Sequence, residues 1–499
     1  MRLSEQIPLG KRIPNIPHAV SVSLPTMADV IGYEERDPEI LAKMNSGYPR
    51  FVKHEWLREI ESYWETFFDK PGEPVWLTSS EKIAQQLKEH LDVPGIKFQK
   101  HQGVSGLRIP ADEQLNRKAK LFLQHVGGYL CSRQAEDYLV ANGLKSHIKP
   151  EALFQDDAKT KILESLRPLF NAENRDDIVL SNCGMNAIYT AFQAVNEIQE
   201  LKGRKSWIKL GWLYTDTMSI LDKLSHKDSD NQKLYNVFDT EKLEELLASR
   251  PNEFAGIVTE TPTNPLIQSM DLDRIRELAT KYGVYLILDP TINSPANVDV
   301  SPYADIIVNS LTKYASSEGD VIMGAICATA QCPERDAITE KIRAIVEPPY
   351  ERNLKRLAQQ IDGYLPLIES INASAIKIVE HLETHPKVSK VYWSKEARSK
   401  INYARIARTP ESIGGMISFV LNIDLATFYD RLLLAKGPSF GMTQSLACPF
   451  MYLAHYDLIS TESGRAYLDQ AGIDPKLIRF SIGAEPVEEI IEALDYALA

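Results

Sequence analysis

Between about residues 151 and 360, short apolar runs alternate with longer helical ones, and this alternation restricts the fold more than any other feature of the chain. DIVLS is followed by NAIYTAFQAVNEI, SWIKLGW by TDTMSILDKL, and FAGIVTE by LDRIRELATKYG and VYLILD; ADIIVNS and DVIMGAIC close the series. Over 271–283, Leu272, Ile275, Leu278 and Tyr282 recur at helical spacing, Asp271 or Asp273 can cap the start and Gly283 can close the end. Residues 284–288 are then an unbroken apolar run, as expected of a strand covered on both faces. Repetition of this unit predicts an α/β layer around a mainly parallel sheet, with ligands at the carboxyl ends of its strands.

The rest of the chain divides around that layer. At 499 residues the length corresponds to roughly three structural units at ~150 residues each. Residues 1–66 read as a Pro-rich extended arm with a short helix after it, 67–150 as a helical insertion without chemical signature, and 361–499 as a smaller α+β domain. Lys+Arg 56 against Asp+Glu 68 gives a net charge of −12, which argues against nucleic acid or an anionic membrane as the main partner. No apolar run approaches the ~18 residues of a membrane span, and the start has no apolar signal-peptide core. Five scattered cysteines predict free thiols in a reducing compartment, so a cytoplasmic location is expected. Cys327 and Cys332 form the one close pair, and without a nearby His they read as buried thiols and not as metal ligands.

Chemistry concentrates just after the strands. Asp289 ends VYLILD, Lys313 follows ADIIVNS, Gly184 and Met185 open a helix after DIVLS, Tyr214 follows SWIKLGW and Asn264 follows FAGIVTE. A carboxylate, an amine, a helix N-terminus, an aromatic ring and an amide at neighbouring strand ends suit pyridoxal 5′-phosphate (PLP). The amine attaches the cofactor, the carboxylate keeps its pyridine nitrogen protonated, and the helix N-terminus takes the phosphate. Taken singly, each of these residues has an ordinary structural reading.

The segment VTETPTNP…VYLILDPTINSP…ADIIVNSLTKYASSEGD resembles the core of the Cys/Met-metabolism PLP enzymes, the cystathionine γ-synthase-like members of the aspartate-aminotransferase fold (fold type I). NCGMNAI, KGPSFGMTQSL and IRFSIGAEPVEEIIEALDYAL match further signatures of that family, and GYPRF supplies its Tyr-x-Arg. The arm and the CPF-YLAHY stretch look closest to the fungal-type branch. The resemblance implies that Lys313 holds the cofactor and then moves protons, and that Asp289 pairs with the pyridine nitrogen. Gly184, Met185, Ser310 and Thr312 would bind the phosphate. Tyr214 would stack on the ring and relay a proton, and Asn264 would bond near the ring oxygen. Arg479, with Ser439 beside it, would bind the substrate carboxylate. Tyr48 and Arg50 would reach the phosphate from a neighbouring subunit, which implies a homodimer or tetramer with shared active sites. His54 and His455 match no family role and read as structural.

The resemblance further implies γ-replacement on an activated homoserine through a vinylglycine-type intermediate, with cysteine or another nucleophile adding at Cγ. A γ- or β-lyase acting on cystathionine, methionine or a related amino acid is the alternative, and a non-catalytic PLP-binding member a distant one. Three positions depart from the family pattern: Gln444 replaces a Glu, YASSEGD replaces a Gly-rich stretch, and Asp289-Pro290-Thr291 replaces Asp-Asn-Thr.

Overall fold

The structure is a computed structural model that describes residues 6–48, 52–68 and 72–499. Its large sheet has seven strands: β1 (Ile178–Ser181), β2 (Ser206–Leu210), β3 (Gln232–Leu234), β4 (Phe254–Glu260), β5 (Tyr285–Asp289), β6 (Ile306–Ser310) and β7 (Gly324–Ala328). Their order is β1-β7-β6-β5-β4-β2-β3. From β6 to β3 neighbouring strands run parallel, whereas β7 is antiparallel to β6 and β1. The reason lies in the connections. Helices link the strands from β1 to β5, whereas helix-free segments join β5 to the parallel β6 and β6 to β7, the latter through the loop carrying Lys313 that returns the chain antiparallel.

Both faces of this sheet are apolar, which explains the unbroken hydrophobic runs. Leu286, Leu288 and Ile307 enter one buried cluster, and Tyr285, Ile287, Ile306 and Val308 enter a second on the opposite face. The helix Leu272–Tyr282 begins where Asp271 accepts a hydrogen bond from the Arg274 amide at 3.1 Å and ends at Gly283, whose φ of +64° suits glycine. Beyond residue 360 a five-stranded sheet is backed by the helices Tyr364–Thr384 and Val487–Leu498, so the C-terminal part is α+β.

Two features of the N-terminal third differ from the sequence expectation. Residues 67–150 are not purely helical: Val75–Thr78, Lys97–His101 and Val104–Arg108 form a three-stranded antiparallel sheet beside the helices Glu81–Leu91, Glu113–Val126 and Ser132–Ala141. The hairpin turns through Gln102 (φ +43°) and Gly103 (φ +80°), a left-handed pair that matches strand twist. The helix Glu55–Phe67 also belongs to this unit, because Trp56, Leu57, Ile60 and Trp64 pack with Val75, Leu77 and Leu139. Second, the arm lies on its own chain. Its Val20 amide donates to Gly319 O at 2.9 Å, its Leu24 amide to Lys436 O at 3.0 Å and its Met27 amide to Asp430 Oδ1 at 2.7 Å.

Candidate active site

Parallel in-register pairing places the ends of β4 and β5 side by side, so Glu260 stands opposite Asp289. The next strand, β6, ends at Ser310, three residues before Lys313. These strand ends face the C-terminal domain across a cavity of about 110 Å³ lined by Tyr48, Tyr214, Asn264, Asp289, Ser310, Lys313, Ser439 and Arg479, among others. Eight residues singled out from the sequence thus meet in one place, and Gly184 and Met185 line the same cavity.

Lys313 is buried, and its Nζ donates to Ser439 Oγ at 2.9 Å. The amine lies 4.7 Å from the centre of the Tyr48 ring and 4.9 Å from that of Phe440. Burial, reinforced by the nearby Arg479 charge, pulls its pKa from 10.5 down to about 7. Such an amine is substantially neutral near pH 7, as attack on an aldehyde and later proton transfer both require. Ser439 keeps a φ of +93°, a strained backbone for a side chain with Cβ, and its position between Lys313 and Arg479 gives that strain a use.

Asp289 points into the cavity, and its Oδ1 accepts from the Thr291 amide at 2.9 Å. Burial pushes its carboxyl up to about 6. Glu260 is raised further, first by burial and then by Asp289, so the pair holds a proton until a cation arrives. A protonated pyridine nitrogen is such a cation.

On the phosphate side, Gly184 starts the 17-residue helix Gly184–Glu200 against the end of β6. A Cβ at Gly184 would stand 2.8 Å from Ser310 Cβ and 3.0 Å from its Oγ, so the glycine keeps this corner open. The Ser310 Oγ is buried without a hydrogen-bond partner among the described residues. A free hydroxyl beside a helix N-terminus fits a phosphate, and the amine and carboxylate fit the aldehyde and ring nitrogen of PLP. The residues present therefore suit this cofactor.

Arg479 sits on the strand Ile478–Ser481, paired with Ser418 and Cys448 on either side. Its guanidinium lies 4.8 Å from the Phe450 ring and 5.3 Å from the Phe440 ring, and it donates to Asn264 Oδ1 at 3.4 Å and Ser439 O at 3.3 Å. A buried guanidinium bonded to neutral oxygens makes a seat for a carboxylate.

Thr312 does not line the cavity, because its hydroxyl bonds the Met323 backbone, donating to the carbonyl and accepting from the amide, and so fixes the Lys313 loop. Tyr48 stands beside Lys313, and the arm that carries it is hydrogen-bonded along the chain through Val20 and Leu24. Gln444 is not among the cavity-lining residues. Arg50 falls outside the described residues. Glu260, Phe440 and Phe450 were not singled out from the sequence; Glu260 was findable as the last residue of a strand next to the one ending in Asp289. His54 caps the helix Glu55–Phe67, and His455 Nε2 accepts from Trp212 Nε1 at 3.0 Å, both packing roles.

Over residues 159–499 the sequence matches the profile of the family described as Cys/Met metabolism PLP-dependent enzyme. It is 36% identical over 481 residues, 96% of either chain, to the L-2-amino-4-chloropent-4-enoate dechlorinase/desaturase of Streptantibioticus cattleyicolor. To a cystathionine gamma-synthase of Neurospora crassa it is 34% identical over 329 residues, which cover 65% of this chain and 52% of that one. Among solved structures, the cystathionine gamma synthase from Xanthomonas oryzae pv. oryzae in complex with cystathionine aligns with a TM-score of 0.58 at 25% identity, covering 68% of this chain and 85% of that one.

Proposed function

The chain belongs to the Cys/Met metabolism PLP-dependent enzymes, and from that membership we propose that it expels a leaving group from Cγ of a small 2-amino acid without installing a nucleophile in its place. Its likeness to a dechlorinase/desaturase and to a cystathionine gamma-synthase supports PLP-dependent elimination or replacement at Cγ. The observation that carries the finer reading is the C-terminal domain's share of the cavity lining, where Phe440, Phe450, Leu453 and Ala454 offer an apolar wall. A compact apolar γ-group such as a vinyl chloride suits that wall better than a zwitterionic thiol does. The likeness to the dechlorinase/desaturase points the same way, since it runs through the N-terminal third as well as the family core.

In this reading Arg479 grips the substrate carboxylate and so sets which substrate protons face Lys313. PLP, when bound, supplies the sink for the electrons of the Cα–H bond. Lys313 would take that proton, pass it on so that its amine is neutral again, and then take one from Cβ, with Ser439 holding the amine between the two positions. Asp289 keeps the ring nitrogen protonated, and the Tyr214 and Tyr48 rings flank the same space. The apolar wall keeps water from the γ-carbon while chloride leaves.

Replacement on an O-acyl-homoserine by cysteine is the second reading. It is favoured by an adjoining cavity of about 700 Å³ that shares Tyr48 and Met185 with the first and offers a second amino acid a way in. The PLP-loaded protein separates the two readings when it is given L-2-amino-4-chloropent-4-enoate, or O-acyl-homoserines with and without cysteine. Chloride release, with a product lighter by one HCl and no need for thiol, is expected. A thioether formed only with cysteine, and no chloride release, would replace the proposal with the second reading.

A further inference from the structure

We infer that residues 113–141 of the insertion brace the cofactor site: one helix holds the turn around Gly184, and the next holds the loop that carries Lys313. The inference rests on the PLP site and holds for either reading of the reaction. It gives a segment with no chemical signature a positioning role.

The first helix, Glu113–Val126, ends against the phosphate corner. The last carbonyls of a helix lack partners within it, and side chains of the Gly184 turn supply them here. Asn182 Nδ2 donates to Gly127 O at 2.7 Å, and Asn186 Nδ2 donates to Val126 O at 2.8 Å. Asn186 is fixed on its other side as well, since its Oδ1 accepts from the Glu347 amide at 2.9 Å. Only glycine permits so close an approach: Gly127 has a φ of +68°, and a Cβ there would stand 2.3 Å from Cys183 Sγ. Asn182 and Asn186 flank Gly184 and Met185 in sequence, yet neither asparagine lines the cofactor cavity.

The second helix, Ser132–Ala141, follows after the short elbow 127–131 and presents the buried Arg133 to the Lys313 loop. Arg133 donates to Asp320 O at 2.7 Å through one nitrogen and to the Asp320 carboxylate at 3.0 Å through another. That carboxylate also accepts from Arg356 Nε at 2.8 Å and from Gln360 Nε2 at 2.6 Å, so charged and neutral donors enclose it. Gln360 Oε1 accepts in turn from the Ser316 hydroxyl at 3.4 Å and the Glu318 amide at 3.3 Å, and the Ser316 amide donates to Lys313 O at 3.2 Å. A continuous set of hydrogen bonds thus runs from the insertion helix to the Lys313 backbone along YASSEGD. Arg133 and Asp320 lie outside the cofactor cavity, so they act by holding the reactive amine in place. Because one elbow joins the two helices, the phosphate turn and the Lys313 loop are held by a single element.

The test asks whether changing residues outside the cavity loosens the cofactor. PLP affinity is titrated by absorbance in Arg133→Met, Asn182→Ala and, as a control, Arg276→Gln. The control breaks an ion pair with the buried Asp305 at 2.8 Å, just before the start of β6 and away from the insertion. Amide hydrogen exchange of the cofactor-free full chains is followed alongside in the segments 182–187 and 313–323. Arg133→Met should weaken PLP binding at least tenfold and speed exchange in 313–323. Asn182→Ala should weaken it at least fivefold and speed exchange in 182–187, while the control stays within twofold of wild type. Wild-type affinity in either brace variant, or a control weakened as much as they are, overturns the inference. If Arg133→Met does not fold, Arg133→Lys, which keeps a charge but loses the fork, is held to the same criteria. A wild-type chain that takes up no PLP would instead bring down the cofactor reading on which the inference rests.

Discussion

The depressed pKa of Lys313 has a measurable consequence for how the protein acquires its cofactor. An ordinary lysine at 10.5 is neutral to well under 1% at pH 8, whereas one at about 7 is about nine-tenths neutral, a gain of about 300-fold in reactive amine. At about 1.4 kcal/mol per pKa unit, burial and the Arg479 charge together correspond to about 5 kcal/mol of discrimination against the charged form. The rate at which cofactor-free protein captures PLP, followed by the visible band of the lysine-bound cofactor, should therefore rise with pH around a midpoint near 7. Arg479→Met removes the second cause of the depression while leaving burial in place, so the midpoint should move up toward 10.5 without reaching it. A wild-type midpoint near 10, or one that Arg479→Met leaves unchanged, would refute the electrostatic account of the site.

Four further outcomes follow from the same geometry. Arg479→Ala should weaken binding of the amino-acid substrate by about 2–5 kcal/mol, read as a raised KM with PLP affinity largely kept. Gly184→Ala should weaken PLP binding at least tenfold in an absorbance titration while the fold survives, because the new methyl enters the corner beside Ser310. Arg133→Met removes one of two guanidinium partners from Asp320 and from Glu151, which keep Arg356 and Arg352, and should lower stability by about 1–3 kcal/mol in denaturant unfolding. His54 is held by burial at about 4, below the ordinary 6.5, so the unfolded chain takes up its proton first and stability falls as pH drops from about 6.5 to 4. That loss amounts to about 3 kcal/mol, and a His54→Gln variant should show a correspondingly flatter acid limb in thermal unfolding.

Much of the site was legible in the sequence because it is built on local patterns. FAGIVTE and VYLILD are strands whose last residues, Glu260 and Asp289, end up adjacent simply because parallel strands in register end together. Lys313, Ser439 and Arg479 were found by residue type and motif, and the fold brings all three to one cavity. What distant segments decide was not legible. The sequence around Thr312 does not show that the return of the chain into β7 brings the Met323 backbone to its hydroxyl. The hairpin Lys97–His101/Val104–Arg108 has strands of five residues, one of them mostly exposed, too weak an alternation to compete with the helical runs around it. The path of the arm was not legible at all, because nothing near GYPRF encodes the seat of Val52 or the hydrogen bonds of Val20 and Leu24.

Cleavage at Cγ requires that protons be taken from both Cα and Cβ, whatever the leaving group. The most direct test uses a substrate analogue with no leaving group, norvaline, incubated with PLP-loaded protein in D₂O and recovered for mass and proton NMR analysis. Deuterium at both Cα and Cβ with the native protein, and at neither with Lys313→Ala, is the result this account predicts. Exchange confined to Cα, or exchange that survives loss of Lys313, would contradict it.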